Sequence, residues 1–364
     1  MIEVRRLYAG MAAALLAVIL VFSIPVDAVS AKSAILMDAA TGRVLYEANA
    51  EQKSLIASTT KIMTALIVCE RCNVLDRMRI PSAAVGIEGS SMYLQEGEIL
   101  TVQELLYGLM LHSGNDAAVA LAIYCGGTVE GFVQLMNDKA RSLGMENSCF
   151  ENPNGLDSEN HYSTARDLAK LSVYAMQNPI FAKIVSTKTV TVGSRYLKNH
   201  NKLLWLLDGA DGVKTGYTKA AGRILVSSAE RQGRRLVTVT IAAPDDWNDH
   251  IVLMESGFQQ YTNTQIVSEG VKIGSVEIAG GQETAVSLIA KESFSYPLAE
   301  NEQIQIRLPK PGFVYAPIVE GQNAGVADIF LGDQWIGSVP LLYGETIEQE
   351  VQQSPSIWKR LLGG

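Results

Sequence analysis

At 364 residues, of which 48% are hydrophobic, the chain can bury a large core, and two domains are the natural division. A formal charge of -8, with no basic run beside an aromatic cluster, argues against a nucleic-acid partner. The histidines stand singly and only Cys69 and Cys72 make a close thiol pair, so no metal or other cofactor is expected.

The N-terminus carries Arg5 and Arg6, a short apolar stretch from Met11 to Phe22, and small residues up to Ala28 and Ala31. This is the pattern of a secretory signal peptide over residues 1–31, cut after one of those two alanines. Its apolar part is shorter than the roughly 20 residues of a spanning helix, although an uncleaved anchor stays open. Either way the protein is expected to work outside the cytoplasm, in the cell envelope. There Cys69, Cys72, Cys125 and Cys149 could be small buried residues or could pair in a disulfide, with the partners left open.

From Ser33 to Glu47 two apolar runs flank Ala40-Thr41-Gly42, which predicts a β-hairpin. Ser58-Thr59-Thr60-Lys61 then heads the run Ile62 to Val68, apolar nearly all round and so predicted to be a buried central helix. Residues 81–97 read as loop with short strands. Thr101-Val102-Gln103-Glu104 is a capping box, and Leu105, Leu106, Leu109 and Met110 give the next helix its buried face. That helix should stop at Ser113-Gly114-Asn115. A second should begin around Asp116, whose carboxylate suits the positive end of the helix dipole, and run to Tyr124.

A helix from about Gly131 to Leu143 follows, then a loop at Asn152-Pro153-Asn154-Gly155. Ser163-Thr164 opens another helix, carrying Leu168, Leu171 and Tyr174, in which Arg166 and Asp167 suit capping and pairing better than chemistry. Asp211 to Tyr217, Gly222 to Ala229 and Leu236 to Ala243 read as three antiparallel strands, the last two a hairpin. With the first hairpin they make a sheet of about five strands, covered by a helix from about His250 to Tyr261. Beyond Thr262, short β-rich runs alternate with turns, which predicts a small all-β domain over 263–350. The tail 351–364, with Trp358, Lys359, Arg360, Leu361 and Leu362, could make a peripheral membrane contact or simply fray.

The candidate chemistry begins with Ser58 and Lys61, which share a helix face and so bring an amine to a hydroxyl. A lysine desolvated there holds its proton less tightly, and the neutral amine can then take the serine proton. Taken alone, these four residues equally describe a capping serine and a solvated lysine. Ser113-Gly114-Asn115, taken alone, reads as a helix-breaking turn. With Lys214-Thr215-Gly216 on a strand, however, the three motifs stand in the order that marks penicillin-binding proteins and class A β-lactamases.

Longer stretches agree: Met37 to Leu45, Ser113 to Ala118, His161 to Leu168, and Asp211 to Thr218. On these residues the segment from Ala34 to Tyr261 resembles the D-alanyl-D-alanine carboxypeptidases, the low-molecular-mass penicillin-binding proteins of the β-lactamase-like superfamily. The β-domain is similar to that family's C-terminal domain, less specifically. The resemblance implies an α/β (α+β) β-lactamase/transpeptidase-like catalytic domain over 32–262. It also implies removal of the terminal D-alanine from peptidoglycan stem peptides, with β-lactams as covalent inhibitors.

The family's roles then fall on Ser58 as nucleophile, Lys61 as base and Ser113 as proton relay. Asn115 would hold the substrate amide, Lys214 and Thr215 the terminal carboxylate, and Gly216 would admit substrate backbone. The N–H groups of Ser58 and Tyr217 would form the oxyanion hole. Ile56 stands where relatives usually carry proline, which predicts slack ahead of Ser58. A class A β-lactamase would need a glutamate over a deacylating water, and the 151–159 loop does not resemble that family's. A D,D-endopeptidase of the same superfamily or a non-catalytic envelope-binding protein is separated from this reading by assay.

Overall fold

In a computed structural model, residues 29–308 and 312–350 are described. The expected signal segment lies outside them except for its last three residues, and the tail 351–364 lies outside them entirely. The chain divides into two compact units between Gly257 and Phe258.

The first unit is built on an antiparallel sheet of five strands: β1 (Ser33–Asp38), β2 (Val44–Ala48), β7 (Ala210–Thr218), β8 (Gly222–Arg231) and β9 (Arg234–Ile241), in the order β2-β1-β9-β8-β7. The two hairpins expected from the sequence are present, and β1 joins them by pairing with β9 over its whole length. Strand β7 is left at an edge. Asp38 tightens the first turn by accepting from the N–H and hydroxyl of Thr41, while Gly42 takes the left-handed conformation there at φ 70°.

Helix α8 (Asp246–Gln260) covers one face, starting four residues earlier than its apolar pattern suggests. Gly257 lets it close on the sheet, since a Cβ there would lie 2.7 Å from Leu36 and 2.8 Å from Leu236. His250 on this helix is a satisfied core residue: its ring nitrogens lie 2.5 Å from Ser227 Oγ and 2.9 Å from Thr240 Oγ1. Burial lowers its pKa to about 3, so it is neutral at physiological pH.

Against the opposite face stand α1 (Lys61–Arg71), α5 (Ala165–Met176) and α6 (Pro179–Ser186). Ile62, Met63, Leu66, Ile67 and Val68 of α1 are all buried, each contributing roughly 1.5–3 kcal/mol through loss of water contact. Beyond α1 lie α2 (Val102–Leu111), α3 (Asn115–Gly126) and α4 (Val129–Ser142). The capping box is formed, Thr101 Oγ1 accepting from the N–H of Glu104 and the Glu104 carboxylate from that of Thr101.

Several sequence expectations are corrected. Strands β3 (Arg77–Arg79) and β4 (Ile99–Thr101) bracket the 81–97 loop and pair across its base, where strands inside the loop were expected. Tyr174 faces outward from α5, with the Lys139 amine 5.1 Å from its ring, because the packing face follows Leu168, Leu171 and Ala175 instead. The segment between α5 and β7, for which the sequence reading named no element, holds α6, a hairpin of β5 (Thr189–Val192) and β6 (Arg195–Lys198), and one turn of α7 (Leu203–Leu206). Of the alternatives left open for the cysteines, the structure has all four as free thiols, Cys69 buried and the other three partly so.

The second unit is all-β, as expected. Its main sheet takes β14 (Ile304–Arg307), β16 (Asn323–Leu331), β17 (Gln334–Tyr343), β12 (Ala285–Ala290), β11 (Lys272–Ala279) and β15 (Phe313–Tyr315) in that order. A separate pair joins β10 (Thr262–Val267) to β13 (Phe294–Leu298). Small apolar clusters such as Val267, Ala290, Ile329 and Val339 make its core. Among the described residues of the whole chain, no single helix is long and apolar enough to cross a membrane.

One contact fixes how the first unit presents its key turn. Gly155, at φ 86°, lies so close to the 3-10 turn Ala57–Thr60 that a Cβ would fall 1.9 Å from the Ala57 carbonyl oxygen. Gly155→Ala is therefore expected to cost about 2 kcal/mol or more, read as a lowered urea midpoint, whereas Gly193→Ala in the open turn of the β5–β6 hairpin should cost less. Equal costs for the two would contradict this packing.

Candidate active site

Ser58 sits in the 3-10 turn and Lys61 is the first residue of α1. The Lys61 amine is fully buried. Its Nζ lies 3.0 Å from Ser58 Oγ, 2.6 Å from Asn115 Oδ1 and 2.5 Å from the Asn154 carbonyl oxygen. Burial, then the charge of Lys214, hold its pKa well below the ordinary lysine value, partly offset by Asp116. A neutral amine has two N–H donors and one lone pair. The two carbonyl oxygens use both donors, and the lone pair is left facing the Ser58 hydroxyl.

Each of those oxygens is itself held in place. Asn115 opens α3; its Nδ2 donates to the Glu88 carbonyl at 2.6 Å and its N–H to that of Ser90 at 2.7 Å. Gly89 makes this approach possible, since a Cβ there would stand 2.7 Å from Asn115 Nδ2. The next residue, Asp116, is buried and accepts from Met92 N–H, Leu94 N–H and the Ser91 hydroxyl, pinning the 90–94 loop to the start of α3. On the other side, Thr64 donates to the Pro153 carbonyl at 2.7 Å. Lys61 and Thr64, one turn apart on α1, thus grip consecutive carbonyls of one loop.

The turn carrying Ser58 is strained and braced. Ala57 has φ 45°, and Ser113, between α2 and α3, has φ 64°; such conformations cost a non-glycine residue about 1–3 kcal/mol. Thr60 Oγ1 donates to the Ala57 carbonyl at 2.8 Å and accepts from His161 Nε2 at 2.7 Å, while His161 Nδ1 accepts from the Glu151 N–H at 3.1 Å. That chain needs a neutral imidazole, which burial ensures by lowering the His161 pKa to about 4. Ile56 is buried, and its carbonyl accepts from both the N–H and the hydroxyl of Thr59. These contacts replace the slack expected from the missing proline with packing.

Strand β7 supplies the other wall. A Cβ on its Gly216 would stand 3.2 Å from the Ile56 carbonyl oxygen and 3.3 Å from the Ser58 nitrogen, so its absence lets the edge strand lie against the serine turn. Lys214 is buried, donates to the Thr215 carbonyl at 2.9 Å, and has its pKa lowered by burial to about 7. A cleft of about 310 Å3 is lined by Ser58, Ser113, Thr215, Gly216 and Tyr217 together with Ser90 and His200. Its lining also includes Arg223, paired with Asp246 at 2.7 Å and 5.7 Å from the Trp247 ring.

All eight residues singled out in the sequence therefore surround one place: Ser58, Ser113, Thr215, Gly216 and Tyr217 line the cleft, and Lys61, Asn115 and Lys214 are buried behind it. Arg166 binds Glu47 and Glu51, and Asp167 accepts from Asn147 N–H and the Ser148 hydroxyl, the pairing and capping roles expected. The sequence reading missed Asn154, Asp116 and the contacts of His161. The first acts through a backbone carbonyl, which no residue type announces.

A dry amine held against a serine hydroxyl, beside the open edge of a strand, is the layout of a serine hydrolase that works by acyl transfer. Comparison with known proteins makes the class specific. Residues 21–245 match the D-alanyl-D-alanine carboxypeptidase family and residues 261–349 the C-terminal domain of penicillin-binding protein 5. The chain is 33% identical to D-alanyl-D-alanine carboxypeptidase DacF of Bacillus subtilis, over 81% of this chain and 80% of that one. It is also 33% identical to DacC of Escherichia coli, over 90% and 86% respectively. The crystal structure of penicillin-binding protein 5 from Haemophilus influenzae superposes with a TM-score of 0.74 at 29% identity, covering 88% of this chain and 98% of that one. The chain belongs to the D-alanyl-D-alanine carboxypeptidase family.

The buried lysine of β7 has a measurable consequence. Its folded pKa is about 7 and its unfolded value about 10.4, so between those pH values the unfolded chain holds the extra proton and stability rises with pH. Lys214→Met should therefore be more stable than the parent, with the gap widest below pH 7 and closing towards pH 10. Urea unfolding at a series of pH values checks this; a gap independent of pH would show that the lysine is not desolvated.

Proposed function

We propose that the enzyme removes the terminal D-alanine of peptidoglycan stem peptides through an ester on Ser58, and that β-lactams acylate the same oxygen. The observation that carries this reading is the set of three contacts at Lys61 Nζ, which leave a lone pair for the Ser58 proton. Ser58 Oγ attacks the carbonyl between the two terminal D-alanines. Its proton passes to Lys61, and the N–H groups of Ser58 and Tyr217 receive the oxyanion, aided by the positive end of α1.

Ser113 returns the proton to the departing amine. Lys214 and Thr215 take the terminal carboxylate, whose negative charge keeps Lys214 protonated. One Nδ2 hydrogen of Asn115 is used on Glu88, and the other is free to hold the substrate amide. Water then hydrolyses the ester.

We infer further that the enzyme works outside the cytoplasm after cleavage behind Ala28. Ser30 supports that site over Ala31: its N–H and hydroxyl donate to the Asp249 carboxylate at 2.9 and 2.7 Å, and its oxygen accepts from the Asp245 N–H. Cutting behind Ala31 would strip a buried carboxylate of these partners, a cost of about 1–3 kcal/mol. The residues of the tail 351–364 fit a weak peripheral contact with the membrane surface.

One experiment tests the chemistry and the processing together. Intact mass of the secreted protein after exposure to penicillin should equal a chain starting at Val29 plus one penicilloyl group, and Ser58→Ala should carry none. Undiminished labelling of that variant would remove Ser58 as nucleophile, and a chain starting at Lys32 would overturn the processing site.

A further inference from the structure

Cys69 and Cys72 form the close thiol pair of the sequence, and the fold separates them. Cys69 lies in the body of α1 with its side chain in the apolar core, where burial pushes its pKa up to about 12. Cys72 is the residue that ends α1, its backbone already extended at φ -113° and ψ 145°. Its partner is Cys125, in the last turn of α3. The two thiols hydrogen-bond to each other, both are partly exposed, and both pack against the same core. A second contact ties the same two chain ends together, the Tyr124 hydroxyl donating to the Asp76 carboxylate at 2.9 Å. Cys149 stands in another segment, paired through its backbone with Tyr162.

The surroundings make this pair a reactive dithiol. The Cys72 thiol donates and Cys125 accepts, which lowers the Cys125 pKa against the effect of burial, and the Arg71 guanidinium beside it adds to the lowering. The same contact pushes Cys72 up, so the proton of the pair rests on Cys72. A partly exposed thiolate next to a cation is the form of cysteine that attacks disulfides. Among the described residues no group of three or more His, Cys, Asp or Glu side chains could hold a metal ion, so the two sulfurs belong to no larger ligand set. Both chain ends can adjust: Cys72 lies past the end of its helix, and Cys125 stands just before Gly126 and Gly127, where α3 stops and the chain turns at φ 77°.

We propose that Cys72 and Cys125 are a site of oxidation and form a disulfide in the exported enzyme, joining the far ends of the two helices that begin at Lys61 and Asn115. The oxidant is a small molecule or protein that carries a disulfide. The Cys125 sulfur attacks one sulfur of that disulfide, whose S–S bond breaks, and the first half leaves as a thiolate that takes up a proton. Cys72 then loses its proton, and its sulfur attacks that of Cys125 and expels the second half as a thiol. Two protons and two electrons pass from the pair to the oxidant, which ends as two thiols. The bridge encloses residues 73–124, which carry Ser90, Ser113 and Asn115, and so fastens that side of the cleft to the helix of Lys61. It stabilises chiefly by restricting the unfolded chain. Because α1 has 11 residues, the bridge lies about 16 Å along the helix from Lys61 and takes no part in the chemistry.

The bridge needs an oxidising compartment and so rests on the extracytoplasmic reading, and two samples keep the questions apart: purified mature enzyme equilibrated with oxidised glutathione, and enzyme exported by cells. Each is denatured, alkylated with N-ethylmaleimide and mapped by mass without reduction. In both, only Cys69 and Cys149 should be alkylated, and the Cys72 peptide should be joined to the Cys125 peptide. With glutathione, Cys72→Ser should carry a glutathione on Cys125, whereas Cys125→Ser should leave Cys72 a free thiol. The bridged enzyme should melt roughly 5 °C or more above the reduced one, while penicillin acylates the two at rates within about twofold of each other. Four alkylated thiols in either sample, a bridge between any other pair, or equal melting temperatures would overturn the proposal. The map needs only the wild-type chain, so it stands if a serine variant fails to fold. Recovery of the enzyme from the cytoplasmic fraction alone would instead overturn the extracytoplasmic reading.

Discussion

An amine kept out of water, with two carbonyl oxygens on its two N–H groups, is the constraint on which the rest of the catalytic unit depends. Lys61 cannot be exposed, or it would hold its proton, and it cannot be buried without partners, or the polar group would carry an uncompensated cost. The fold meets both conditions by bringing three separate segments to one nitrogen: the start of α1, the start of α3 and the 152–155 loop. Gly89 and Gly155 are glycines because these segments approach more closely than a Cβ allows. The oily helix behind Lys61 provides the anchorage as well as the dryness.

Two buried lysines in one site divide the electrostatic work. The charge of Lys214 helps to lower the proton affinity of Lys61, and Asp116 partly restores it. Lys61 is given two fixed acceptors and a serine; Lys214 is given one carbonyl, that of Thr215. On the proposed reading, a substrate carboxylate bound there would raise the affinity of Lys214 for its proton, linking substrate binding to proton uptake. The chain tolerates two desolvated amines, a cost carried by a core of apolar residues from α1, α2, α3 and α5. Stability is given up locally for function, as is usual at such sites.

Much of this was legible beforehand, for identifiable reasons. The capping box at Thr101 and Glu104, the all-round apolar run after Lys61 and the alternating strands after Asp211 are local patterns, and each gave the element expected of it. The turn, helices and strands between α5 and β7 were missed because they are four to eight residues long, too short to show a period. Tyr174 was placed on the wrong face because helical spacing alone does not say where a stripe ends. The site residues were found through motifs and resemblance; their geometry was not. A carbonyl such as that of Asn154, a threonine bridging to His161, or Asp116 gathering the 91–94 loop depends on chain segments brought together from far apart in sequence, and nothing in a local window records that.

The central claim is that Lys61 is a neutral amine when it faces Ser58. It is tested most directly by following the lysine side-chain resonances of isotopically labelled enzyme through a pH titration, with Lys61→Arg to assign the signal. The account predicts that Lys61 titrates well below the ordinary lysine value of about 10.4 and is a neutral amine at the pH where acylation is fastest. A Lys61 resonance that remains that of an ammonium through that pH would contradict it.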